Sequence, residues 1–213
     1  MRALRRVPAE VWTAVVVVLA VIAVYLVGRA NPIPPPPITT DALGPEHSES
    51  PQDYIARAAD TLRPGGDPDA AHWALVSFGE GTAAPAAARA VAPVRISEVL
   101  THVRLDGRQT PVTTVQTPAT DRPAAMVSRA LPQAADRIDS GYGPAAAASG
   151  PADDAVTGAL REECDCVVGL VVRAPLDQLR EVSHRPGVAA VEALPADAVF
   201  GSFAVRPPTT SLH

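Results

Sequence analysis

The spacing of apolar residues changes along this chain, and each change predicts a different element. Residues 11–27 (VWTAVVVVLAVIAVYLV) carry no charge, no Pro and no Gly, which predicts a helix without a polar face. At about 1.5 Å per residue this run reaches ~25 Å, and Ala9 and Gly28 extend it toward the thickness of a bilayer core. Trp12 and Tyr25 stand near its two ends, where amphipathic rings suit the headgroup zone. Arg2, Arg5 and Arg6 outweigh the single Arg29, which puts the N-terminal side in the cytoplasm. A cleaved secretory signal is the competing reading, with Gly28 and Ala30 as its small-x-small site, but such apolar regions run about 7 to 15 residues. A buried core helix would show a polar face, and only Thr13 and Tyr25 interrupt this run. The expectation is a single-pass cell-membrane anchor that meets lipid through residues 11–27 and leaves the rest of the chain outside.

Beyond the anchor the period alternates between helix and strand. Ser50, Pro51 and Asp53 read as N-cap, first helical position and dipole-facing acid. Tyr54, Ile55, Ala58, Ala59 and Leu62 follow at helical spacing, and Pro64-Gly65-Gly66 stops the run. Residues 72–78 (HWALVSF) are apolar on both parities, as a central strand requires. An Ala-rich helix is expected over 82–92 and a long strand over 94–105. In that strand Val94 and Ile96 share one parity, whereas Val99, Thr101, Val103 and Leu105 share the other. A period-2 pattern changes phase only through an extra residue, so a bulge is predicted near Ser97-Glu98. Asp106-Gly107 is a two-residue hairpin turn, and the returning strand over 110–117 contains Pro111, which fits an edge.

A helix over 121–138, kinked or broken at Pro132, a flexible crossing over 140–152 and a short helix over 153–163 come next. A strand over 164–173 then carries Cys164, Cys166, Val168, Leu170 and Val172 on one face, with Val167 and Val171 on the other. Leu176, Leu179 and Val182 stripe a helix opened by Pro175 and stopped by Arg185-Pro186-Gly187; residues 188–194 close the unit. Phe200, Phe203 and Val205 suggest a last extended piece. Two β-α-β units separated by a helical insert predict an α+β fold, a ferredoxin-like sandwich with an extra hairpin strand and its helices on one sheet face. The expected organisation is 1–30 as cytoplasmic tip and transmembrane helix, 31–49 as a stiff Pro-rich linker, 50–206 as the extracytoplasmic domain and 207–213 as a tail.

Charge narrows the partners. Once Arg2, Arg5, Arg6 and Arg29 are set aside from the 18 basic residues, 14 remain beyond residue 30. They face 22 carboxylates, all of the 23 but Glu10, for a net charge of −8. Such a domain is a poor match for nucleic acid or an anionic lipid surface. Every basic residue is Arg and none is Lys, which with the Ala and Pro content reflects codon bias in a GC-rich genome.

Cys164 and Cys166 form the only motif with chemistry to weigh. On a strand their α-carbons stand about 6.6 Å apart, at the upper limit of disulfide geometry, so closure needs a local bend. The ring gains little from chain entropy, and an easily reduced bond would make a redox-active or sensing pair. The plainer role is structural, bonded or buried, since no neighbouring Arg or His in sequence lowers a thiol pKa. His72, His102 and His184 are scattered, which argues against a metal site. His102 alternates with Leu100 and Arg104 on an expected solvent face, and His184 closes a helix, where a cation suits the dipole. Asp153-Asp154 and Glu162-Glu163 read as solvated helix ends. Hydrolase, zinc-protease and phosphate-loop motifs are absent, so no catalytic, cofactor or metal residues are assigned.

Two stretches carry a resemblance. Trp73-Ala74-Leu75-Val76-Ser77-Phe78, and Cys164-Asp165-Cys166-Val167 through Pro186-Gly187-Val188-Ala189-Ala190-Val191-Glu192, resemble uncharacterised single-pass membrane proteins of high-GC bacteria with an exported α+β domain; no activity is implied. Residues 167–197, through the Pro-Gly-Val-x-x-Val-Glu ending, are also similar to the second half of subtilase propeptides. That similarity implies a ferredoxin-like inhibitor whose tail, here 193–198, enters a protease cleft. The expected function is therefore a non-catalytic exported domain that binds or scaffolds an envelope protein. Self-association through the 110–117 edge is one route. A module acting on an exported serine protease is the alternative, and a redox-responsive module through Cys164 and Cys166 the third.

Overall fold

The computed structural model describes residues 12, 15–22, 41–63, 65, 67–141 and 151–208, with backbone alone at 151 and 152. The chain divides into two units, Met1–Ile38 and Thr39–His213. In the first, residues 15–22 are helical and their apolar side chains are exposed. Of the anchor expected over 11–27, residues 11, 13–14 and 23–27 lie outside the described residues. Among the described residues no helix is long and apolar enough to cross a membrane.

The second unit is an α+β fold. Its elements are β1 (Ala42–Leu43), α1 (Pro51–Thr61), β2 (Ala71–Thr82), α2 (Ala84–Val91), β3 (Arg95–His102), β4 (Val112–Gln116), α3 (Pro123–Asp139), α4 (Pro151–Arg161), β5 (Val167–Pro175), α5 (Leu176–Ser183), β6 (Val188–Ala193) and β7 (Ala204–Val205). Five strands form one sheet in the order β4-β3-β5-β2-β6, and every neighbouring pair in it is antiparallel. β2 and β3 flank β5, while β5 and β6 flank β2, so each β-α-β crossover encloses a strand of the other unit. A second, two-stranded sheet pairs β1 with β7 in parallel.

Local chemistry accounts for most element ends. The Ser50 hydroxyl accepts the Asp53 N–H at 3.1 Å, so α1 starts where the cap predicts. α2 starts later than expected, after Ala83, which offers no side-chain cap. The bulge falls where the phase change requires it: pairing runs from Ile96↔Val172 to Glu98↔Val171, which leaves Ser97 as the extra residue. Val94, Ile96, Val99 and Val103 consequently reach one core despite their different parity. Leu105 bridges Arg108 around Asp106-Gly107, and Gly107 takes the positive φ of 68° that the turn needs. β4 is an edge strand, as Pro111 implies.

Three expectations are corrected. Pro132 neither ends nor divides α3, which continues from Pro123 to Asp139. The linker does not extend to Glu49, because Leu43 is wholly buried and 42–43 form a strand. The strand expected at Cys164 begins at Val167, and its pattern differs from simple alternation. Leu170 and Val172 join Cys166 and Val167 on the helix side, whereas Val168 and Val171 face the other way. Pairing with β2 jumps between Ser77↔Gly169 and Thr82↔Val167, and that irregularity reverses Val168. The crossing expected over 140–152 lies mostly outside the described residues, as does most of the 207–213 tail.

The sheet is apolar on both faces. α2, α3, α4 and α5 cover one, burying Val76, Phe78, Val99, Leu131, Leu170 and Leu179. On the other, Trp73, Leu75, Leu100, Val168, Val171 and Leu194 lie under Leu43, Phe200, Phe203 and Val205 from the two ends of the unit. The solvent face expected at Leu100 and His102 is therefore a second core, since Leu100 is wholly buried.

Candidate functional site

The covering of the second face is a strap, fastened at two places. Leu194 N–H donates to Trp73 O at 2.8 Å, the chain turns with Ala198 N–H on Pro195 O, and it returns through Phe200 and Phe203 to β7. There Arg206 N–H donates to Leu43 O at 2.7 Å. The close approach demands Gly44: its φ is +101°, and a Cβ there would stand 1.8 Å from Arg206 O.

Gly44 also joins a buried ion network. Its N–H donates to Glu192 Oε2 at 2.5 Å, and the other Glu192 oxygen accepts Arg57 Nη1. Arg57, one turn beyond Tyr54 on α1, also donates to both Glu49 oxygens, at 2.8 and 3.0 Å, and to Gly44 O at 3.1 Å. The two carboxylates sharing this guanidinium titrate in opposite directions. Burial of Glu192, only 2% exposed, raises its pKa despite the Gly44 and Arg57 bonds. The Arg57 bond lowers that of Glu49, which keeps more water. Arg57 is raised in turn, chiefly by Glu49. Beside them the Tyr54 hydroxyl meets Ser77 Oγ at 3.3 Å, and burial raises the phenol. With both Glu192 oxygens and most Arg57 donors engaged, this cluster fastens α1, β1 and β6 together and offers no free group to a substrate.

The aromatic end of the strap differs, with half-buried Phe200 and Phe203 lying over the buried Trp73. The Phe200 ring lies 4.7 Å from the Trp73 ring, Phe203 closes the triangle at 6.0 and 6.1 Å, and the Arg173 guanidinium stands 5.3 Å from the Trp73 centroid. Val199, beside Phe200, is 61% exposed, the one large apolar side chain left so open among the described residues of this unit. Arg173 is paired in register with Trp73 on β2 and with Arg95 on β3, so Trp73, Arg173 and Arg95 form a row across three strands. Both arginines are exposed, and neither has a carboxylate within ion-pair distance among the described residues.

Cys164 and Cys166 form a disulfide with their α-carbons 5.2 Å apart, and the local bend that closure requires occurs at Asp165. It follows a helix stop of Schellman type: Cys164 N–H reaches Ala159 O and Glu163 N–H reaches Leu160 O, with Glu163 at φ 57° where Gly is usual. Gly81, at φ +105°, lets the end of β2 pass Asp165, whose carbonyl would stand 2.7 Å from an added Cβ. Cys164 is half-buried, but Cys166 is 3% exposed in the helix-side core. An incoming thiolate reaches only Cys164, and the group it must expel is a thiolate in apolar surroundings, where the charged form is disfavoured.

The histidines stay apart. His72 Nδ1 meets Leu194 O at 2.7 Å, His184 caps α5, and burial lowers the pKa of His102 on β3. No group of three metal-binding side chains occurs among the described residues. Asp153-Asp154 stand in the first turn of α4, where the dipole favours them. Arg57, Glu192 and the Arg95–Arg173 row escape sequence reasoning because their partners lie 135 and 78 positions away; the double-sided apolarity of 72–78 and the extended piece at Phe200, Phe203 and Val205 hint at a second covered face. Compared with known proteins, the chain matches no family model, no curated protein and no solved structure.

Proposed function

We propose that this chain is a single-pass membrane protein, N-terminus cytoplasmic, whose extracytoplasmic domain binds another cell-envelope protein and catalyses no reaction. The uncharged run over 11–27 with its basic N-terminal flank supports the anchor. The strand order β6-β2-β5-β3, with the two units interleaved, supports a ferredoxin-like sandwich to which β4 is added at one edge. The observation that carries the binding role is the strap surface. Half-buried Phe200 and Phe203, which cover the buried Trp73, together with exposed Arg173 and Val199 have the aromatic and arginine composition of protein-interface centres.

The protease-inhibitor reading has less support. Residues 193–198 form the turn that starts the strap and are not a free extended tail. A redox role is disfavoured by the burial of Cys166. The test is a photo-cross-linking residue at position 199 of the full-length protein in its membrane. A single envelope protein captured there, and not from a probe at exposed Gln133 on α3, is the expected result. Capture of lipid alone, or turnover of an envelope substrate by the purified protein, would overturn the proposal.

A further inference from the structure

Resting on the reading of the strap surface as a binding site, we propose that Arg95 and Arg173 recognise a carboxylate-bearing segment of the partner polypeptide. Like charges directly opposite each other on neighbouring strands repel, and a sheet normally avoids them or places an acid nearby. Here the two arginines are register partners on β3 and β5. The domain around them has 22 carboxylates to draw on, yet none lies within ion-pair distance of either among the described residues. Arg173 has a local reason for its place, its stack on Trp73. Arg95 has no ion pair among the described residues, and an anion bound beside the two would relieve their repulsion.

Arg95 and Arg173 stand on one sheet face as register partners of neighbouring strands, and each guanidinium carries the N–H fork that carboxylates and phosphates accept. Two observations select a polypeptide carboxylate over a phosphate surface. The row ends at the buried Trp73, whose cover of half-buried Phe200 with exposed Val199 beside it sets apolar surface next to the two arginines. The domain's net charge of −8 repels anionic bilayers and polyphosphates at longer range, whereas a short acidic segment brings little opposing field.

The test uses the full-length protein in neutral-lipid nanodiscs and synthetic peptides of Val, Thr and Phe carrying two Glu, against the same peptides with two Gln. Charge-assisted hydrogen bonds predict roughly tenfold or greater preference for the Glu peptides, weakening with salt. Arg95→Gln, which leaves the Trp73 stack intact, should abolish that preference, and Arg95→Glu should weaken Glu-peptide binding further. Equal binding of the two peptides, or a preference unchanged in Arg95→Gln, would overturn the proposal. So would binding confined to inorganic phosphate or to vesicles containing phosphatidylglycerol. A partner captured at position 199 with equal yield in Arg95→Gln leaves the binding role standing and removes this one. Carboxylate preference without any captured protein does the reverse.

Discussion

The two faces of the sheet are both buried, yet they are covered in different ways. The helix side is sealed by α2 to α5, whose apolar stripes present Leu131, Leu160 and Leu179 to Leu170 and Val99. The strap side is sealed in part by α1, which buries Tyr54 and Ala58 at Ser77 and Ala190, and otherwise by two-residue strands and a few aromatic rings. A helix brings a whole stripe and satisfies its own backbone. The strap must borrow hydrogen bonds from Trp73, Leu43 and Glu192. Stability therefore resides mainly in the first face, and surface chemistry in the second.

Substitutions can break that contrast. Leu170→Ala should cost about 3 kcal/mol, read from denaturant melts, because the helices around a wholly buried side chain collapse only partly onto the space. Phe200→Ala, half-buried on the strap, should cost about 1–2 kcal/mol. Equal losses at the two sites would mean that the strap is as integral as the helical layer.

Gly44→Ala attacks the strap without touching its rings. Left-handed backbone costs an L-residue about 1–2 kcal/mol, and contact with Arg206 O adds to this. The expected outcome is faster amide exchange at Arg206 with little change at Leu170. Uniform loss of protection would count against separate fastening.

Titration sharpens the contrast further. Glu49 has a lowered folded pKa, so its contribution is present above the ordinary carboxylate value of 4.5 and is lost as pH falls through the folded value. Glu192 has a raised one. Between 4.5 and that raised value the native state holds the extra proton, so stability falls as pH rises through the window. In Glu192→Gln that downward slope is removed, so above pH 4.5 the melting temperature should fall less with rising pH than in the parent. Identical slopes in the two proteins would mean that Glu192 ionises in the fold as it does in water.

The smallest effect is expected at Arg95. Arg95→Gln should raise stability by about 0.2–1 kcal/mol through relief of the cross-strand repulsion, an effect that shrinks in high salt.

How far these features were legible in sequence depends on their range. Ser50, the 97–98 bulge and the Asp106-Gly107 turn are local, and their physics is complete within a few residues. The break allowed at Pro132 does not occur, because tertiary packing of Leu131, Ala134 and Ala135 holds α3 together against the lost hydrogen bond. Residues 42–43 have too few positions to show a period, whereas the returning half of the strap was signalled by Phe200, Phe203 and Val205, and the face it covers by the apolar parity of 72–78. Glu192 stood within the quoted Pro-Gly-Val-x-x-Val-Glu stretch, but nothing local shows that this acid, on an edge strand, is enclosed by Arg57 and Gly44.

The parallel seam between β1 and β7 has a mechanical consequence. Tension applied at Asp41 loads first the strand that holds the C-terminal segment in place. Drawing Leu43 out would remove a ceiling from Leu100 and the acceptor from Arg206 together. The first and last strands of this domain thus act as a single zip: opened from the front, it also frees the back, while the helical half stays shut.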